Sequence, residues 1–196
     1  MATYRAGADP NEQAIVRAVL AGDRDAYREL VERESGSVIR TCHRILGDLA
    51  EAEDVAQEAF VTAYRALGAW RADGPFGAWL ARIAVRLATR RASTRRQVVW
   101  IEPGDQASVP ASGDGMVAGR TDPLQATLRG EREAAVRTAV AELREPYREV
   151  VALRFFAERS LQEIADTTGR PLGTVKTHLR RGLALLRSSL DDGLAR

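Results

Sequence analysis

The stretch from Ser160 to Arg181 reads SLQEIADTTGRPLGTVKTHLRR, and it predicts two helices joined by a tight turn. Ser160 and Glu163 have the spacing of a capping box, in which each side chain accepts a hydrogen bond from the other residue's backbone N–H. Gly169 is suited to the sharp turn, and Pro171 is suited to the opening of the next helix. These signals together indicate a helix-turn-helix.

The second helix of this motif combines an apolar stripe with a basic face. The stripe is made of large apolar residues that recur at steps of three and four, namely Leu172, Val175, Leu179, Leu183, Leu186 and Leu190. Five basic residues and no acidic one occur from Arg170 to Leu190. The polar residues off the stripe are Thr174, Lys176, Thr177, His178, Arg180 and Arg181. Such a face suits the major groove of DNA, while a helical hairpin with a solvated basic face is the plainer alternative.

The composition of the whole chain limits the classes of protein it can be. With 196 residues, 45% of them hydrophobic and only 6% aromatic, the chain can build one large domain or two small helical ones. Cys42 is the single cysteine, so an internal disulfide is impossible. The two histidines are His43 and His178, too few to complete a zinc site of the usual Cys/His composition. We expect Cys42 to be a buried thiol, and we expect no cofactor.

The apolar pattern predicts an all-α protein with two domains and a linker. Helical periodicity covers about 11–21, 24–46, 50–68 and 76–92, with an expected irregularity at Ser35-Gly36-Ser37. A segment rich in Gly, Pro, Ser and Asp follows. We therefore expect a first domain at 11–95, a flexible linker at 96–124 and a second domain at 125–190. The sequence shows no signal peptide and no membrane-spanning apolar run, which predicts a cytosolic protein.

Charge is strongly segregated within the first domain, although the net charge of the chain is only +2. The third helical stretch begins acidic, with Asp48, Glu51, Glu53, Asp54 and Glu58. The fourth contains six Arg and no acidic residue from Phe76 to Trp100, with Arg82, Arg86 and Arg90 spaced by four. The acidic surface suits a basic protein and the arginine stripe suits phosphate. The plainer explanation for the acidic cluster is that it compensates the helix dipole. The plainer explanation for the arginine stripe is a solvated helix face.

Three motifs, taken in this order, resemble the extracytoplasmic-function subgroup of the sigma-70 family of bacterial transcription initiation factors. AEDVAQEAF at 52–60 is similar to the family's core-polymerase-binding helix. FGAWLARIA at 76–84 is similar to its promoter-melting segment, and GTVKTHL at 173–179 is similar to its recognition helix. The resemblance covers roughly residues 11–95 and 125–190.

This resemblance implies a role for each motif. Core RNA polymerase would be bound by Asp54, Gln57 and Glu58. The −10 element of promoter DNA would be opened and held by Trp70, Arg82, Arg86 and Arg90, which supply the aromatic and cationic groups that single strands need. The −35 element would be contacted as duplex by Arg170, Thr174, Lys176, Thr177, His178, Arg180 and Arg181. The linker would thread through the polymerase, and an anti-sigma factor is an expected further partner.

Two departures from the family pattern concern the bases that are preferred. Arg86 and Arg90 stand where the family usually carries Asn and often Asp. Because Arg lacks the paired donor and acceptor of an Asn side chain, the usual −10 preference does not carry over. Thr177-His178 stands where Ser-Arg is more usual, so the −35 sequence is equally open.

Two other classes of protein remain alternatives at this stage. The segment TVKTH at 174–178 also resembles the output helix of LuxR-type regulators, but residues 11–92 lack the strand alternation and acidic pocket of a receiver domain. A helical adaptor that binds acidic partners without reading DNA is the second. An enzyme is disfavoured because no nucleophile with a base and no convergent ligand set is visible.

Overall fold

The computed structural model describes residues 8–99 and 123–194, and all regular secondary structure in these residues is helical. The elements in chain order are α1 (Pro10–Leu20), α2 (Ala26–Leu46), α3 (Leu49–Arg65), a 3-10 helix (Leu67–Ala69), α4 (Phe76–Val99), α5 (Pro123–Glu142), α6 (Tyr147–Phe155), α7 (Leu161–Thr168) and α8 (Leu172–Leu194). The predicted all-α class is confirmed. Of the predicted linker, 100–122 lies outside the described residues. None of the described helices is long and apolar enough to span a membrane.

Helix ends in the first domain follow local capping chemistry. The Asp9 side chain accepts a hydrogen bond from Asn11 N at 2.9 Å, and Asp48 accepts one from Glu51 N at 2.8 Å. Gly47 ends α2 in the left-handed conformation, with φ +78°.

The expected irregularity at Ser35-Gly36-Ser37 is wrong, because α2 is continuous through it. Leu30 lies before this segment, and Val38 and Cys42 lie after it. All three side chains are buried in the same core, so tertiary packing holds both halves of the helix in line.

Helices α2, α3 and α4 form the core of the first domain, and small side chains allow them to approach closely. The buried face of α3 consists of Ala52, Val55, Ala56, Ala59, Phe60 and Ala63. The largest buried side chains of this domain, Phe76, Leu30, Leu67 and Leu80, fill the space between the helices. This packing holds α3 and α4 as rigid supports for the side chains on their outer faces.

The second domain contains the predicted helix-turn-helix. Both capping-box hydrogen bonds are present: Ser160 Oγ accepts from Glu163 N at 3.2 Å, and Glu163 Oε2 accepts from Ser160 N at 2.8 Å. Gly169 ends α7 with φ +69°. Val175 and Leu186 of the predicted stripe are buried, and its other members are partly buried against the same core. The helix-turn-helix is confirmed.

The two domains pack against each other, which the sequence did not predict. Helix α4 of the first domain contacts α5, α6 and α7 of the second, and the end of α2 contacts α5. One connected apolar core therefore runs through both domains.

Replacing Gly182 by Ala should destabilise the protein, although Ala favours a helix. A Cβ at this position in α8 would lie 2.7 Å from Val151 Cγ2, and Val151 is a buried, stiff side chain of α6. Overpacking of this kind costs about 1–3 kcal/mol. Gly130→Ala is the matched control, since its Cβ would meet nothing within 4 Å and should stabilise α5 by up to about 1 kcal/mol. Urea unfolding measures both, and equal effects would contradict the close crossing.

Candidate nucleic-acid interface

The predicted polymerase-binding residues share one exposed face of α3. Asp54, Gln57 and Glu58 follow one another at helical spacing, and all three side chains are exposed. The buried alanine-rich stripe on the opposite side of α3 turns them outward. This face carries two carboxylates and an amide, which suits a basic protein surface.

The start of α4 is held by a residue that the sequence analysis did not single out. Glu12 on α1 is only 6% exposed, and its Oε2 accepts a hydrogen bond from Phe76 N at 2.9 Å. Its Oε1 accepts one from Arg33 Nη2 on α2 at 2.8 Å. Glu12 thereby satisfies a backbone donor at the first turn of α4 and ties it to α1 and α2. The sequence gives no signal for this contact, because the helix dipole alone is enough to account for an acidic residue in the first turn of α1.

An aromatic cluster supports the segment between the 3-10 helix and α4. The ring of Trp70 meets the buried Phe76 ring edge-on at 5.9 Å, and Phe76 lies 5.6 Å from the Trp79 ring. A cleft beside this cluster is lined by Trp70, Arg71, Asp73, Gly74, Pro75 and Trp79, and by Asp166 and Thr167 of α7. The second domain therefore forms one wall of the cleft next to Trp70.

Three arginines converge on the carboxylate of Glu149 in α6. Arg82 Nε lies 2.9 Å from Oε1, and Arg86 approaches the same oxygen with Nε and Nη2, both at 2.9 Å. Arg170 Nη1 lies 2.7 Å from Oε2. Glu149 is 3% exposed, Arg82 22% and Arg170 27%, whereas Arg86 remains 57% exposed. Two residues predicted for the −10 element and one predicted for the −35 element are thus brought together on one carboxylate.

The arginines determine the charge state of Glu149. Burial by itself raises the pKa of this carboxyl, but hydrogen bonds from Arg82 and Arg170 outweigh it, with a further contribution from the charges of Arg82 and Arg86. The net result is a pKa below the ordinary value of a glutamate. Glu149 is therefore ionised at neutral pH despite its burial.

The importance of Glu149 was missed by sequence reasoning, although a signal was present. The residue lies in α6 directly before the buried Val150 and Val151. A carboxylate on the apolar side of a short helix requires a cation or several donors nearby. The pattern indicates that partners exist, but it does not indicate which arginines they are.

The remaining arginines of α4 continue the basic face towards its end. Arg90 and Arg91 are exposed. Arg95 Nη1 lies 3.3 Å from Glu51 Oε2, which links the end of α4 to the acidic start of α3. Of the predicted −10 arginines on α4, Arg86 and Arg90 are therefore exposed, whereas Arg82 is only 22% exposed.

On α8 the predicted −35 residues fall into two groups. Lys176, Arg180 and Arg181 are exposed, as their position off the apolar stripe predicts. Thr174 and Thr177 are half-buried, and Thr177 Oγ1 donates to Gly173 O at 3.0 Å within the helix.

His178 packs against α6 instead of pointing fully outward. Its ring meets the Tyr147 ring edge-on at 5.7 Å, and its Nδ1 is buried. Burial, followed by the charges of Arg170 and Arg181, lowers the pKa of this imidazole. His178 is therefore neutral at physiological pH and adds no positive charge to the basic face.

Comparison with known proteins assigns both halves of the chain to families. Residues 30–98 match the family Sigma-70 region 2, and residues 133–186 match the family Sigma-70, region 4. The chain is 33% identical over 180 residues to the ECF RNA polymerase sigma factor SigW of Bacillus subtilis, covering 90% of this chain and 95% of SigW. It is 35% identical over 189 residues to the RNA polymerase sigma-H factor of Pseudomonas aeruginosa, covering 93% of each.

Two solved structures share the fold. CnrH, in complex with the cytosolic domain of CnrY, aligns with a TM-score of 0.57 at 22% identity, over 93% of this chain and 99% of CnrH. The sigma factor RpoE of Bartonella quintana, in complex with the anti-sigma factor NepR, aligns with a TM-score of 0.51 at 17% identity, over 84% and 96%. Both support the all-helical, two-domain architecture.

The ionised form of Glu149 should stabilise the protein in a pH-dependent way. Removing one partner of a buried ion pair costs about 3–5 kcal/mol, so Glu149→Gln should lower the free energy of unfolding at pH 7 by an amount of that order. The folded-state pKa lies below the unfolded value of about 4.3. This stabilisation is therefore fully present above that value and is lost as the pH falls through the folded-state pKa.

Urea unfolding of the parent and of Glu149→Gln from pH 7 down to pH 3 measures this difference. The difference in the free energy of unfolding between the two proteins should shrink as the pH falls. Glu131→Gln, at an exposed position of α5, is the control and should shift stability by less than about 0.5 kcal/mol at any pH. A difference that is independent of pH would contradict the ionised state of Glu149.

Proposed function

The chain belongs to the extracytoplasmic-function subgroup of the sigma-70 family, and we propose that it uses three surfaces to direct promoter-specific transcription initiation. These surfaces are the acidic face of α3, the arginine face of α4 with the Trp70 segment, and the basic face of α8. The observation that carries the proposal is the match of region 2 and region 4, in that order, along one chain whose relatives are sigma factors over about nine-tenths of its length.

Core RNA polymerase is proposed to bind the first domain through Asp54, Gln57 and Glu58. These side chains are exposed on a helix whose other face is packed in the core. The helix therefore needs little rearrangement when the polymerase binds. Opposite charge across an interface raises the association rate and excludes wrong partners. An acidic face also repels DNA, which keeps this surface available for protein.

The −10 element is proposed to bind α4 and the segment that precedes it. Trp70 supplies an aromatic ring on which an unstacked base can stack, and the aromatic cluster below it restrains that ring. Arg82, Arg86 and Arg90 supply cations along one side of α4 for the backbone of the single strand. Glu12 is the positioning residue for this surface, because it holds the first turn of α4.

The −35 element is proposed to bind α8 as duplex DNA. Lys176 and Arg180 are exposed one turn apart, so both reach the same stretch of a major groove. Arg170 and Arg181 are proposed to contact phosphates. The half-buried Thr174, Thr177 and His178 form the edge of the same DNA-binding surface.

Further features of the proposal follow from the family. The protein acts as a non-enzymatic factor in the cytoplasm, where polymerase and promoter DNA are found, and an anti-sigma protein is its proposed regulator. The Bartonella RpoE was solved with the anti-sigma factor NepR, and CnrH was solved with the cytosolic domain of CnrY. A LuxR-type regulator is not favoured, because residues 30–98 match sigma region 2 and the described part of the first domain holds no strand.

Run-off transcription with purified core polymerase tests the function as a whole. The full chain should convert core polymerase, which alone starts transcription without selectivity, into a form that starts at a defined set of promoters. Sequencing of the transcript ends then defines the −35 and −10 elements. A chain that binds DNA but gives no core-dependent initiation would favour a regulator of another kind.

Reversing the charge at Asp54 and Glu58 should weaken binding to core polymerase. Close interfacial ion pairs are worth about 2–4 kcal/mol, so the double change to Arg should raise Kd roughly 30- to 1,000-fold. The matched control reverses Glu29 and Glu32, two exposed acidic residues on α2 of the same domain, and should leave Kd nearly unchanged. Surface plasmon resonance measures both, and equal affinity of the two double variants would reject the assignment of α3.

Alanine at Lys176 or Arg180 should relax sequence preference at one position of the −35 element. A side chain that reads a base edge contributes roughly 1–3 kcal/mol, whereas a phosphate contact weakens all sequences alike and flattens the salt dependence. Arg181→Ala is the comparison expected to show the second behaviour. Transcription from a randomised −35 library gives the preference at each position. Profiles of Lys176→Ala and Arg180→Ala that match the parent everywhere would move base reading to Thr174, Thr177 and His178.

A further inference from the structure

We propose that α1 determines how strictly the −10 base is selected, with Ala8 and Glu12 as positioning residues that fix the segment 70–76. This inference rests on the proposed function, because it takes that segment as the place where an unstacked base is held. The residues that match Sigma-70 region 2 begin at residue 30, so α1 lies before the matched part of the chain. Base selection therefore depends on an element that lies apart from the proposed DNA-binding surfaces.

Two hydrogen bonds to this part of the chain hold the segment 70–76. Ala8 N donates to Ala72 O at 3.3 Å. Phe76 N donates to Glu12 Oε2 at 2.9 Å. Ala8 and Glu12 are each only 6% exposed, so water competes little for either contact. Ala8 is itself held against α1, because Gln13 Nε2 donates to Ala8 O at 3.2 Å. The backbone of the segment is therefore restrained at two points only four residues apart.

The backbone of Ala72 needs such support. Its φ is +56°, in the left-handed region that residues with a Cβ rarely adopt. A conformation of this kind persists where the surrounding structure holds it in place. The hydrogen bond from Ala8 N to the Ala72 carbonyl supplies that support. Loss of this contact should let residue 72 relax and should move the Trp70 ring, which lies two residues earlier in the chain.

Glu34 on α2 acts together with Glu12 at the start of α4. Arg33 lies between the two carboxylates, with Nη2 2.8 Å from Glu12 Oε1 and Nε 3.2 Å from Glu34 Oε1. A Cβ built on Gly77 would lie 2.5 Å from Glu34 Oε2, so this carboxylate lies directly against the first turn of α4. The helix dipole favours negative charge at this end of a helix. Arg33 therefore fixes the orientation of Glu12, and both carboxylates fix the first turn of α4.

The restrained backbone carries the rings that line the cleft beside the segment. Phe76, whose N–H is held by Glu12, is fully buried, and its ring lies 5.9 Å from the Trp70 ring and 5.6 Å from the Trp79 ring. Both tryptophans line the cleft. A site that discriminates between similar ligands must hold its groups to within about 0.5 Å. A loosened segment should accept several bases with similar affinity, so the restraint from α1 acts on selectivity.

Initiation from promoters randomised at the −10 element, with the full-length protein and core polymerase, is the first measurement. In Glu12→Ala the ratio of initiation from the best and the second-best base should fall at least about fivefold at one position, the lower end of what one discriminated base pair contributes. Glu12→Gln keeps an acceptor for Phe76 N and should retain most of the parent's preference. Glu29→Ala, at an exposed position of α2, is the matched control and should change nothing.

The profile across sequences separates positioning from a loss of folded protein. A smaller folded fraction lowers initiation from every sequence alike and leaves each preference unchanged. A Glu12→Ala profile with the parent's −10 preference would therefore overturn the proposal, whatever the total initiation. An equal loss of preference at the −35 element would also overturn it, because an effect on 70–76 leaves α8 unchanged. A parent chain that starts at no defined promoter would instead count against the proposed function.

Amide hydrogen exchange of the free full-length protein is the second measurement, and it does not depend on transcription. Ala8→Pro removes the N–H that donates to Ala72 O and changes no residue of α1, so this variant keeps the test decisive if Glu12→Ala folds poorly. Exchange in 70–76 should become at least about tenfold faster, while exchange in α3 stays as in the parent. Ala8→Ser keeps the N–H and is the matched control.

Ala8→Pro should also relax the −10 preference in the transcription assay. Unchanged exchange in 70–76 would overturn the proposal, as would faster exchange in that segment with the −10 preference of the parent.

Discussion

A carboxylate that is almost wholly removed from water requires cations or hydrogen-bond donors around it, because its desolvation is otherwise too costly. Glu149 is under this constraint, and the structure meets it with arginines from two different parts of the chain. Arg170 comes from the turn of the same domain, while Arg82 and Arg86 come from α4 of the other domain. The relative placement of the two domains therefore depends on how one buried charge is neutralised.

The support for this arrangement is a close packing of helices that small side chains permit. Alanines line the buried face of α3, and Gly182 allows α8 to cross α6 with no room for a methyl group. Rigid helices keep the exposed acidic face and the covered arginine face at fixed positions. The family usually carries Asn at the position of Arg86. An Asn side chain is shorter and uncharged, so it would not form the ion pair that Arg86 makes with Glu149.

Much of the local structure could be predicted from the sequence, because helix signals act over a few residues. The capping box of Ser160 and Glu163, the turn at Gly169 and the apolar stripe of α8 are all present as predicted. Such signals depend on contacts between residues three or four apart. The same reasoning failed at Ser35-Gly36-Ser37, where weak helix formers suggested a break but buried neighbours on both sides keep α2 continuous.

The sequence by itself determined the helices, their amphipathic faces, the segregation of charge and the resemblance to sigma factors. Only the tertiary structure decided which charges meet. Arg82 and Arg86 are 67 and 63 residues from Glu149 along the chain, and no periodicity connects positions so far apart. Glu12 at the start of α4 is a second such contact, 64 residues from Phe76. Ion pairing selects partners by distance in space and by burial, and both of these are properties of the packed helices.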